Sequence, residues 1–379
     1  MKSFNKLFTL SLVTLAVSSV AHADVRINGF ANFTGGIASS EDTLYGFEDS
    51  IDFANQSLFG LQVSGDVSEN VTATGQIVTR GSDDFSANFE WAYLTYAATE
   101  NTSISIGRLR MPLFRYSSSL DVAYSYHWVV APASVYDVPF NNIDGVRVDY
   151  AGYSGDWEYG LQFVVGNVNN EFTLGGQPGE LTINNVALVS ADLAYENWKF
   201  RGVYAAGKVT FDIPALDAPL GQLGQISSDF ESKLQAVDDS GIFYGASIEY
   251  DAFNWFVAAE YTGIEIEDSF YPQEENYYVT AGIRAGKWTP FITYEKSDIN
   301  RDPKFVGDIA AFPAPLQVPL TQLVVGIQQS VMSENNTLSV GARYDLSTSI
   351  ALKADITKFT NDINDEEDSL VRFAVNYVF

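Results

Sequence analysis

The chain has 379 residues, of which 48 are acidic and 21 basic, and its formal net charge of −27 excludes a protein that seeks nucleic acid. It contains no cysteine, which excludes disulfides, thiolate metal sites and the covalent haem attachment of an electron-carrying cytochrome. Hydrophobic residues make up 46% of the chain, yet after residue 23 no apolar run is long enough for a membrane-spanning helix, so these residues are dispersed.

Residues 1–23 have the pattern of a secretory signal peptide. Two lysines precede an apolar run from Leu7 to Val20, and residues 21–23 read Ala-His-Ala, the A-x-A pattern that a signal peptidase cleaves. The run is about 14 residues long, whereas a helix that crosses a bilayer needs about 20. We therefore expect cleavage after residue 23 rather than a retained anchor, and an exported domain over residues 24–379.

Directly after this segment, residues 25–37 alternate between two kinds of side chain. Val25, Ile27 and Phe33 stand on one parity, and Arg26 and Asn32 stand on the other. This period of two is typical of a β-strand with one apolar and one polar face. The same alternation recurs in the stretches 59–66, 72–77, 157–165, 198–204 and 255–262. The longer runs have the roughly ten residues of a tilted strand that crosses a bilayer, whereas soluble sandwich strands usually have about five or six.

Short and longer connections separate these runs. Seven connections are short enough to be hairpin turns, at residues 68–70, 99–101, 152–155, 196–197, 251–253, 286–287 and 346–348. The segments between them are mostly longer. Short periplasmic turns and long external loops are characteristic of bacterial outer-membrane barrels, and seven turns with eight loops close sixteen strands. We therefore predict an all-β fold, a transmembrane antiparallel barrel of sixteen strands that occupies the mature chain.

Residues 321–332 do not fit this count. As a strand they would be the seventeenth, and single-chain bacterial barrels have an even number of strands. Leu320, Leu323, Val324, Ile327 and Val331 instead follow the i, i+3, i+4, i+7, i+11 spacing of one face of an amphipathic helix. We predict a short helix here, within the seventh external loop.

The last strand alternates up to an aromatic end. Val371, Phe373, Val375 and Tyr377 share one parity, and the chain stops at Phe379 on the same parity. A barrel needs this strand to pair with the first strand, so that no strand edge faces lipid. The terminal Phe379 also resembles the signature that the outer-membrane barrel-assembly machinery recognises in this class of proteins.

Together these features resemble the Gram-negative general porin family. The resemblance also rests on Ile106-Gly107-Arg108 before a long third loop, residues 142–150 after that loop, residues 341–346 and Phe379. It implies sixteen-stranded homotrimers in the outer membrane, in contact with its lipids and lipopolysaccharide, with the third loop folded into the pore. It also implies passive diffusion of small hydrophilic solutes and ions, without a cofactor, a bound metal or enzymatic activity. The third loop lacks the Pro-Glu-Phe-Gly-Gly motif of enteric porins, which leaves the geometry of its constriction open.

Basic residues on the expected inner parity of the strands would line the pore wall. They are Arg26, Arg80, Arg147, Lys199, Arg201, Arg284, Arg343, Lys353 and Arg372. Acidic residues such as Asp66, Glu90 and Asp149 share this wall. Charges of both signs across a narrow gap create a transverse field, which favours polar solutes over apolar ones.

The third loop, roughly residues 109–142, would set the pore constriction. The loop and its edge carry five charged candidates, Arg108, Arg110, Arg115, Asp121 and Asp137. The alternative is that the loop only covers the barrel mouth, with its arginines solvated or paired to acids. The arginines favour anions at the constriction, whereas the net negative charge favours cations at the mouth, so we expect a slight tolerance for anions.

Two other functions stay open. A substrate-specific channel could bind phosphate or a dicarboxylate through these arginines, or sugars on the aromatic rings of the third loop, although such rings could equally pack the loop against the wall. These rings belong to Tyr116, Tyr124, Tyr126, Trp128, Tyr136 and Phe140. An enzyme would need a base beside a nucleophile, and His127, flanked by two aromatic residues, fits packing better. External acids such as Glu274 and Glu275 could share divalent cations with lipopolysaccharide phosphates, or simply be solvated.

Overall fold

The computed structural model describes residues 24–41, 43–174, 176–299, 302–329 and 331–379. Within these ranges sixteen antiparallel strands close into one barrel, as the alternation predicted. The expected signal peptide, residues 1–23, lies outside the described residues. The strands are β1 (Val25–Ala38), β2 (Leu58–Ser68), β3 (Val71–Arg80), β4 (Ala87–Ala97), β5 (Thr102–Arg110), β6 (Asn142–Ser154), β7 (Trp157–Leu174), β8 (Gln177–Tyr195), β9 (Trp198–Asp212), β10 (Asp239–Asp251), β11 (Trp255–Ile266), β12 (Glu274–Ile283), β13 (Trp288–Ile299), β14 (Ser333–Asp345), β15 (Ile350–Asn361) and β16 (Glu366–Val378).

The two parities of each strand face different surroundings. In β1, Val25, Ile27 and Phe33 are about 60% exposed on the outer surface, whereas Asn32 and Thr34 are buried inside the barrel. Successive side chains of a strand point to opposite faces, so the polar parity becomes the lumen wall. The apolar parity becomes the surface that faces lipid or another subunit.

The barrel closes where the last strand meets the first. Strand β16 pairs with β1 in the register Phe30 with Val378, and Gly29 and Phe379 exchange two backbone hydrogen bonds of 2.9 and 3.0 Å. The ring of Phe379 occupies the space beside Gly29, where an added Cβ atom would lie 2.1 Å from a ring carbon. Glycine is therefore the residue that lets the terminal aromatic ring lie flat on the first strand.

Two connections differ from the sequence prediction. The turn expected at residues 152–155 lies at residues 155–156, because Ser154 still pairs with Trp157 and only Gly155 has the positive φ (+62°) that a two-residue turn favours. The fourth external connection is short, since β7 and β8 form a long hairpin of 18 and 19 residues in which Leu174 still pairs with Gln177.

Helices in the external loops cover one side of the barrel mouth. The fifth loop contains α2 (Pro214–Ile226) and α3 (Ser228–Gln235), and the seventh contains α4 (Ala314–Gln329); a single turn, α1 (Ala133–Tyr136), lies in the third loop. The helix expected at 321–332 is thus confirmed, but it begins earlier, at Ala314, and ends earlier, at Gln329. Leu320, Val324 and Ile327 are buried with Leu223 and Phe230 in one apolar cluster, which we call the helical cap. No helix in the described part of the chain is both long and apolar enough to cross a bilayer.

Candidate functional site

The third loop, residues 111–141, folds into the barrel and is fastened to the inner wall. The Trp128 indole donates a hydrogen bond of 2.8 Å to Thr293 of β13. The Tyr136 hydroxyl donates one of 2.6 Å to Glu260 of β11. The Lys353 ammonium of β15 donates one of 2.7 Å to the backbone carbonyl of Trp128. The third loop thus follows the inner wall over many strands. The alternative, in which the loop only covers the barrel mouth, is wrong.

An apolar face explains why the loop lies on this wall. Leu113, Phe114 and Val135 of the loop are at most 1% exposed and pack in one cluster with Phe243 and Tyr278 of the wall. Burying such side chains stabilises the inward position of the loop. Tyr126, Trp128 and Tyr136 are also buried in this cluster. These three rings therefore pack the loop rather than present a sugar-binding surface to the lumen.

The loop leaves two open spaces, one towards each end of the barrel. We call the end with the short turns periplasmic, following the usual build of outer-membrane barrels. The external vestibule has a volume of about 1020 Å³ and the periplasmic vestibule about 840 Å³. Among the described lining residues, Arg110 alone belongs to both. The two vestibules therefore adjoin at Arg110, and we call this level of the lumen the passage.

Four charged side chains meet at this passage. Arg80 of β3 contacts Glu90 of β4 at 3.0 Å and Asp121 of the loop at 2.8 Å. Arg110 contacts the same two acids, Glu90 at 3.5 Å and Asp121 in a close ion pair. We call Arg80, Glu90, Arg110 and Asp121 the charge quartet. Asn32 of β1 adds a hydrogen bond of 3.0 Å to the backbone carbonyl of Asp121, so the loop also contacts β1 here.

A local irregularity of the sheet turns Glu90 towards the passage. The register between β3 and β4 shifts at this level, because Gln76 faces Trp91 whereas the next residue, Ile77, faces Phe89. The extra residue in β4 is Glu90, which is only 7% exposed. Bulges of this kind re-aim a side chain without ending the strand. The bulge thus supplies the second acid of the quartet.

The two arginines of the quartet hold Asp121 ionised. Burial by itself raises the pKa of the Asp121 carboxyl, but the positive charges of Arg110 and Arg80 outweigh burial and hold that pKa below its ordinary value. The two positive charges of the guanidinium groups and the two negative charges of the carboxylates also cancel. The passage therefore has a strong local field and no net charge.

The other three predicted constriction residues lie elsewhere. Arg115 forms an ion pair with Glu249 of β10 and lines the periplasmic vestibule. Asp137 lines the external vestibule. Arg108 donates two hydrogen bonds of 2.9 and 2.8 Å to Asp144 of β6 and is among the residues that line the external vestibule. It lies outside the charge quartet, and its role in the constriction stays a prediction.

Of the nine predicted wall residues, Arg284 directly follows β12 and pairs with Asp251 at 2.6 Å, and the other eight fall into two groups. Five lie on the lumen face with an acidic neighbour: Arg26 with Asp66 (3.1 Å), Arg80 within the quartet, Arg147 with Asp149 (2.8 Å), Lys199 with Glu249 (3.2 Å) and Arg201 with Asp192 (2.5 Å). Arg343, Lys353 and Arg372 are covered by other parts of the protein. Lys353 is 3% exposed and bonds to loop carbonyls, and Arg372 is 7% exposed and pairs with Asp355 at 2.9 Å. The second group therefore holds the loop and the wall together.

The first external loop also reaches into the lumen, which the sequence did not suggest. Phe47 is fully buried and Leu44 is 6% exposed, and both pack on Leu370 of β16. The Tyr45 hydroxyl lies 3.0 Å from the Thr337 hydroxyl of β14. In the sequence, the feature that could have indicated this inward position is the presence of Leu44, Tyr45 and Phe47 in a loop rich in acidic residues. Tyr45 and Gly46 of this loop line the external vestibule.

His127 is part of the packing between loop and wall. Its Nε2 atom lies 3.0 Å from the Thr280 hydroxyl, and its ring contacts Trp128 and Phe291. Burial lowers its pKa well below the usual range, and the nearby charges of Lys353 and Arg343 lower it further. The imidazole is therefore neutral at physiological pH. Within the described ranges, no group of three or more histidine or acidic side chains has the spacing of a metal site.

Comparisons with known proteins agree on the architecture. A family model described as Gram-negative porin matches residues 9–364. The chain is similar in structure to an anion-selective porin from Comamonas acidovorans (TM-score 0.57, 12% identity, 94% of this chain and 100% of that chain). It is also similar to OmpF of Salmonella typhi in complex with daunomycin (0.59, 14%, 94% and 97%) and to the trimer form of OmpT of Vibrio cholerae (0.52, 11%, 94% and 99%). No curated protein matches the chain.

Proposed function

The chain belongs to the Gram-negative porin family and forms a diffusion channel in the outer membrane, and we propose that solutes cross it between the third loop and strands β1 to β5. The observation that carries this proposal is the position of the charge quartet, at the passage between the two vestibules. Its charges of opposite sign orient water and small dipolar solutes, and an apolar solute would have to displace that ordered water. The function is passive entry of small hydrophilic solutes and ions.

A general channel fits the wall better than an anion-specific one. A site for phosphate or a dicarboxylate needs cations whose donors are free, but Arg80 and Arg110 share Glu90 and Asp121, and Arg115 is bonded to Glu249. An anion would have to displace these carboxylates, which costs the ion pairs that it replaces. We therefore propose weak ion selectivity set by the acidic mouth, in place of the slight anion tolerance expected from the sequence.

We also propose that the barrel has no catalytic role. His127 is 8% exposed and Thr280, the hydroxyl beside it, is 1% exposed, so a substrate has no access to this pair. A neutral histidine that packs against Trp128 and Phe291 supports the loop instead.

The outer surface points to a subunit contact on β1 to β5. In β6 to β16, tyrosine and tryptophan residues mark the periplasmic rim of the outer surface, as in the aromatic girdles that face lipid headgroups. They include Tyr150, Trp157, Trp198, Trp255, Trp288 and Tyr377, all 39% to 54% exposed. The outer positions of β1 to β5, strands that the structure describes throughout, have no tryptophan and one tyrosine, Tyr96. Small residues such as Ala73 and Gly75 stand there instead.

We propose that this small-residue face packs against two further copies of the chain in a homotrimer. A similar fold, that of Vibrio cholerae OmpT, has been solved in a trimer form.

Single-channel recording tests both the channel and the trimer. We expect current steps in groups of three from the wild-type protein in a planar bilayer. Gly75 and Gly202 both lie on the outer surface, each four residues after the first residue of its strand, which is Val71 in β3 and Trp198 in β9. At both positions an added Cβ atom would have no other atom within 4 Å. Gly75→Trp should therefore break the subunit contact and give single steps, whereas Gly202→Trp, which faces lipid, should keep groups of three. Absence of current from folded wild-type protein would contradict the channel, and groups of three from Gly75→Trp would contradict the interface.

We propose the following maturation and contacts. Residues 1–23 are removed as a signal peptide, which leaves the barrel domain 24–379. Phe379 is read by the barrel-assembly machinery before it packs on Gly29. The outer surface contacts membrane lipids, and acids of the external loops approach lipopolysaccharide through shared divalent cations.

A further inference from the structure

A third space inside the barrel differs in chemistry from the two vestibules. It has a volume of about 540 Å³ and lies between residues 133–140 of the third loop and the inner wall of β7 to β15. Most of its lining is apolar, including Val138, Ile183, Val186, Phe243 and Ile264. We call this space the apolar chamber. Lumen positions of porin strands ordinarily face water and are polar, so apolar side chains here call for an explanation.

Packing explains only part of this lining. The chamber lies between the apolar cluster under the third loop and the helical cap, and Phe140 and Ile183 contact both clusters. Leu181 and Ile266 are buried by the cap, but Phe140, Ile183 and Ile264 are only partly buried. Apolar surface that stays in contact with water inside a concave space is unfavourable, at about 25 cal/mol per Å², and is characteristic of ligand sites.

The polar part of the lining has one sign of charge. Its charged members among the described residues are Asp137, Glu171, Glu274 and Glu295, and no lysine, arginine or histidine belongs to it. Glu295 accepts hydrogen bonds of 3.2 and 3.1 Å from the backbone and side chain of Ser134, and Glu274 accepts one from Tyr271.

Asp137 stands at the entrance of the chamber. It lines both the chamber and the external vestibule. Its carboxylate makes no hydrogen bond or ion pair with the residues that the structure describes. Although exposed to the water of the lumen, the carboxyl is surrounded by the barrel, and this desolvation raises its pKa. A positive charge beside it would offset that cost.

We propose that the apolar chamber binds amphiphilic organic cations, that is, amines with an aromatic or branched aliphatic body. The body would lie against Ile183 and Phe243 and the ammonium group would meet Asp137. A volume of about 540 Å³ is in the range of sites for drug-sized ligands. An anion would meet four acids, and a small hydrophilic solute would leave the apolar lining in contact with water. This inference rests on the barrel fold, and it does not require that the channel conducts.

Binding can be measured on the folded full-length protein in lipid nanodiscs. Isothermal titration with 4-phenylbutylamine, with empty nanodiscs as the reference, should show binding, and the anion 4-phenylbutanoate should bind at least about ten-fold more weakly. Asp137→Asn should weaken binding of the amine about ten-fold, since it removes one charge-assisted hydrogen bond. Asp83→Asn, a control acid that lines the external vestibule but not the chamber, should leave binding unchanged.

A charge reversal completes the test. Ser297 lines the chamber on β13, and Ser297→Arg would place a cation among the acids. This variant should lose the amine and gain affinity for 4-phenylbutanoate; a heat-modifiable band in gel electrophoresis shows that it has folded. Equal binding of amine and anion by the wild-type protein, or amine binding that survives both Asp137→Asn and Ser297→Arg, would overturn the proposal. Amine binding without ion current would contradict the channel function and leave this site standing.

Discussion

Replacing Asp121 with alanine is expected to widen the channel and make it anion-selective. The substitution removes the ion pairs of Asp121 with both Arg80 and Arg110, so the loop loses its charged contact with the β3 wall. The quartet then has a net charge of about +1, and one charge about 4 Å from a passing ion is worth about 1 kcal/mol even in a water-like dielectric. The anion-to-cation permeability ratio should therefore rise at least about five-fold, together with the single-channel conductance. Conductance and reversal potential in a salt gradient measure the two effects.

Two companion variants separate charge from width. Asp121→Asn removes the charge but keeps the size and hydrogen-bonding capacity of the side chain, so selectivity should change while conductance changes little. Asp217→Ala removes the same charge from the exposed helix α2 and should change neither. An Asp121→Ala channel with wild-type conductance and selectivity would show that solutes do not pass the quartet.

Loss of Phe379 is expected to have the largest effect on assembly. Its deletion removes the two backbone hydrogen bonds to Gly29 and the ring that covers this glycine. At about 1 kcal/mol for each hydrogen bond, with a similar contribution from the half-exposed ring, the barrel should lose about 2–3 kcal/mol. Such a loss is enough to lower the amount of assembled protein several-fold. Denaturant unfolding of the refolded barrel and the heat-modifiable band in outer membranes give the two readouts.

Substitution of Gly29 distinguishes packing from recognition. Gly29→Ala places a Cβ atom 2.1 Å from the Phe379 ring and displaces the ring while the terminal aromatic residue is kept. Stability of the refolded barrel should fall by about 1–3 kcal/mol, as in other overpacked contacts, while recognition by the assembly machinery persists. Gly202→Ala, with nothing within 4 Å, is the neutral control. Normal stability and normal assembly after deletion of Phe379 would contradict both roles.

The barrel could be predicted from the sequence because its signals are local. The alternation in stretches such as 157–165 predicts a strand with one polar and one apolar face. The spacing of Leu320, Val324 and Ile327 predicts a helix. The last strand could be recognised because closure requires it to pair with β1. Each of these features depends only on the order of side chains along the chain, and that order is the sequence itself.

The site depends on contacts that are distant in the sequence. Arg80, Glu90, Arg110 and Asp121 were each visible as charged residues, but their meeting requires the inward course of the third loop and the bulge that turns Glu90. Arg108 was grouped with Arg110 because it is a near neighbour in the sequence, yet its hydrogen bonds go to Asp144 of β6. The apolar chamber had no local signal, because its lining comes from many strands and one loop.

Because the chain has no cysteine, a single thiol can report directly on the conduction path. Ser118 is an exposed residue of the third loop that lines the periplasmic vestibule, and Asp217 is exposed on α2, away from the path. Single-channel current through Ser118→Cys should fall when a charged methanethiosulfonate reagent is added, whereas wild-type and Asp217→Cys currents should not change. Undiminished current through fully labelled Ser118→Cys would show that solutes cross the barrel by another path and would contradict the account.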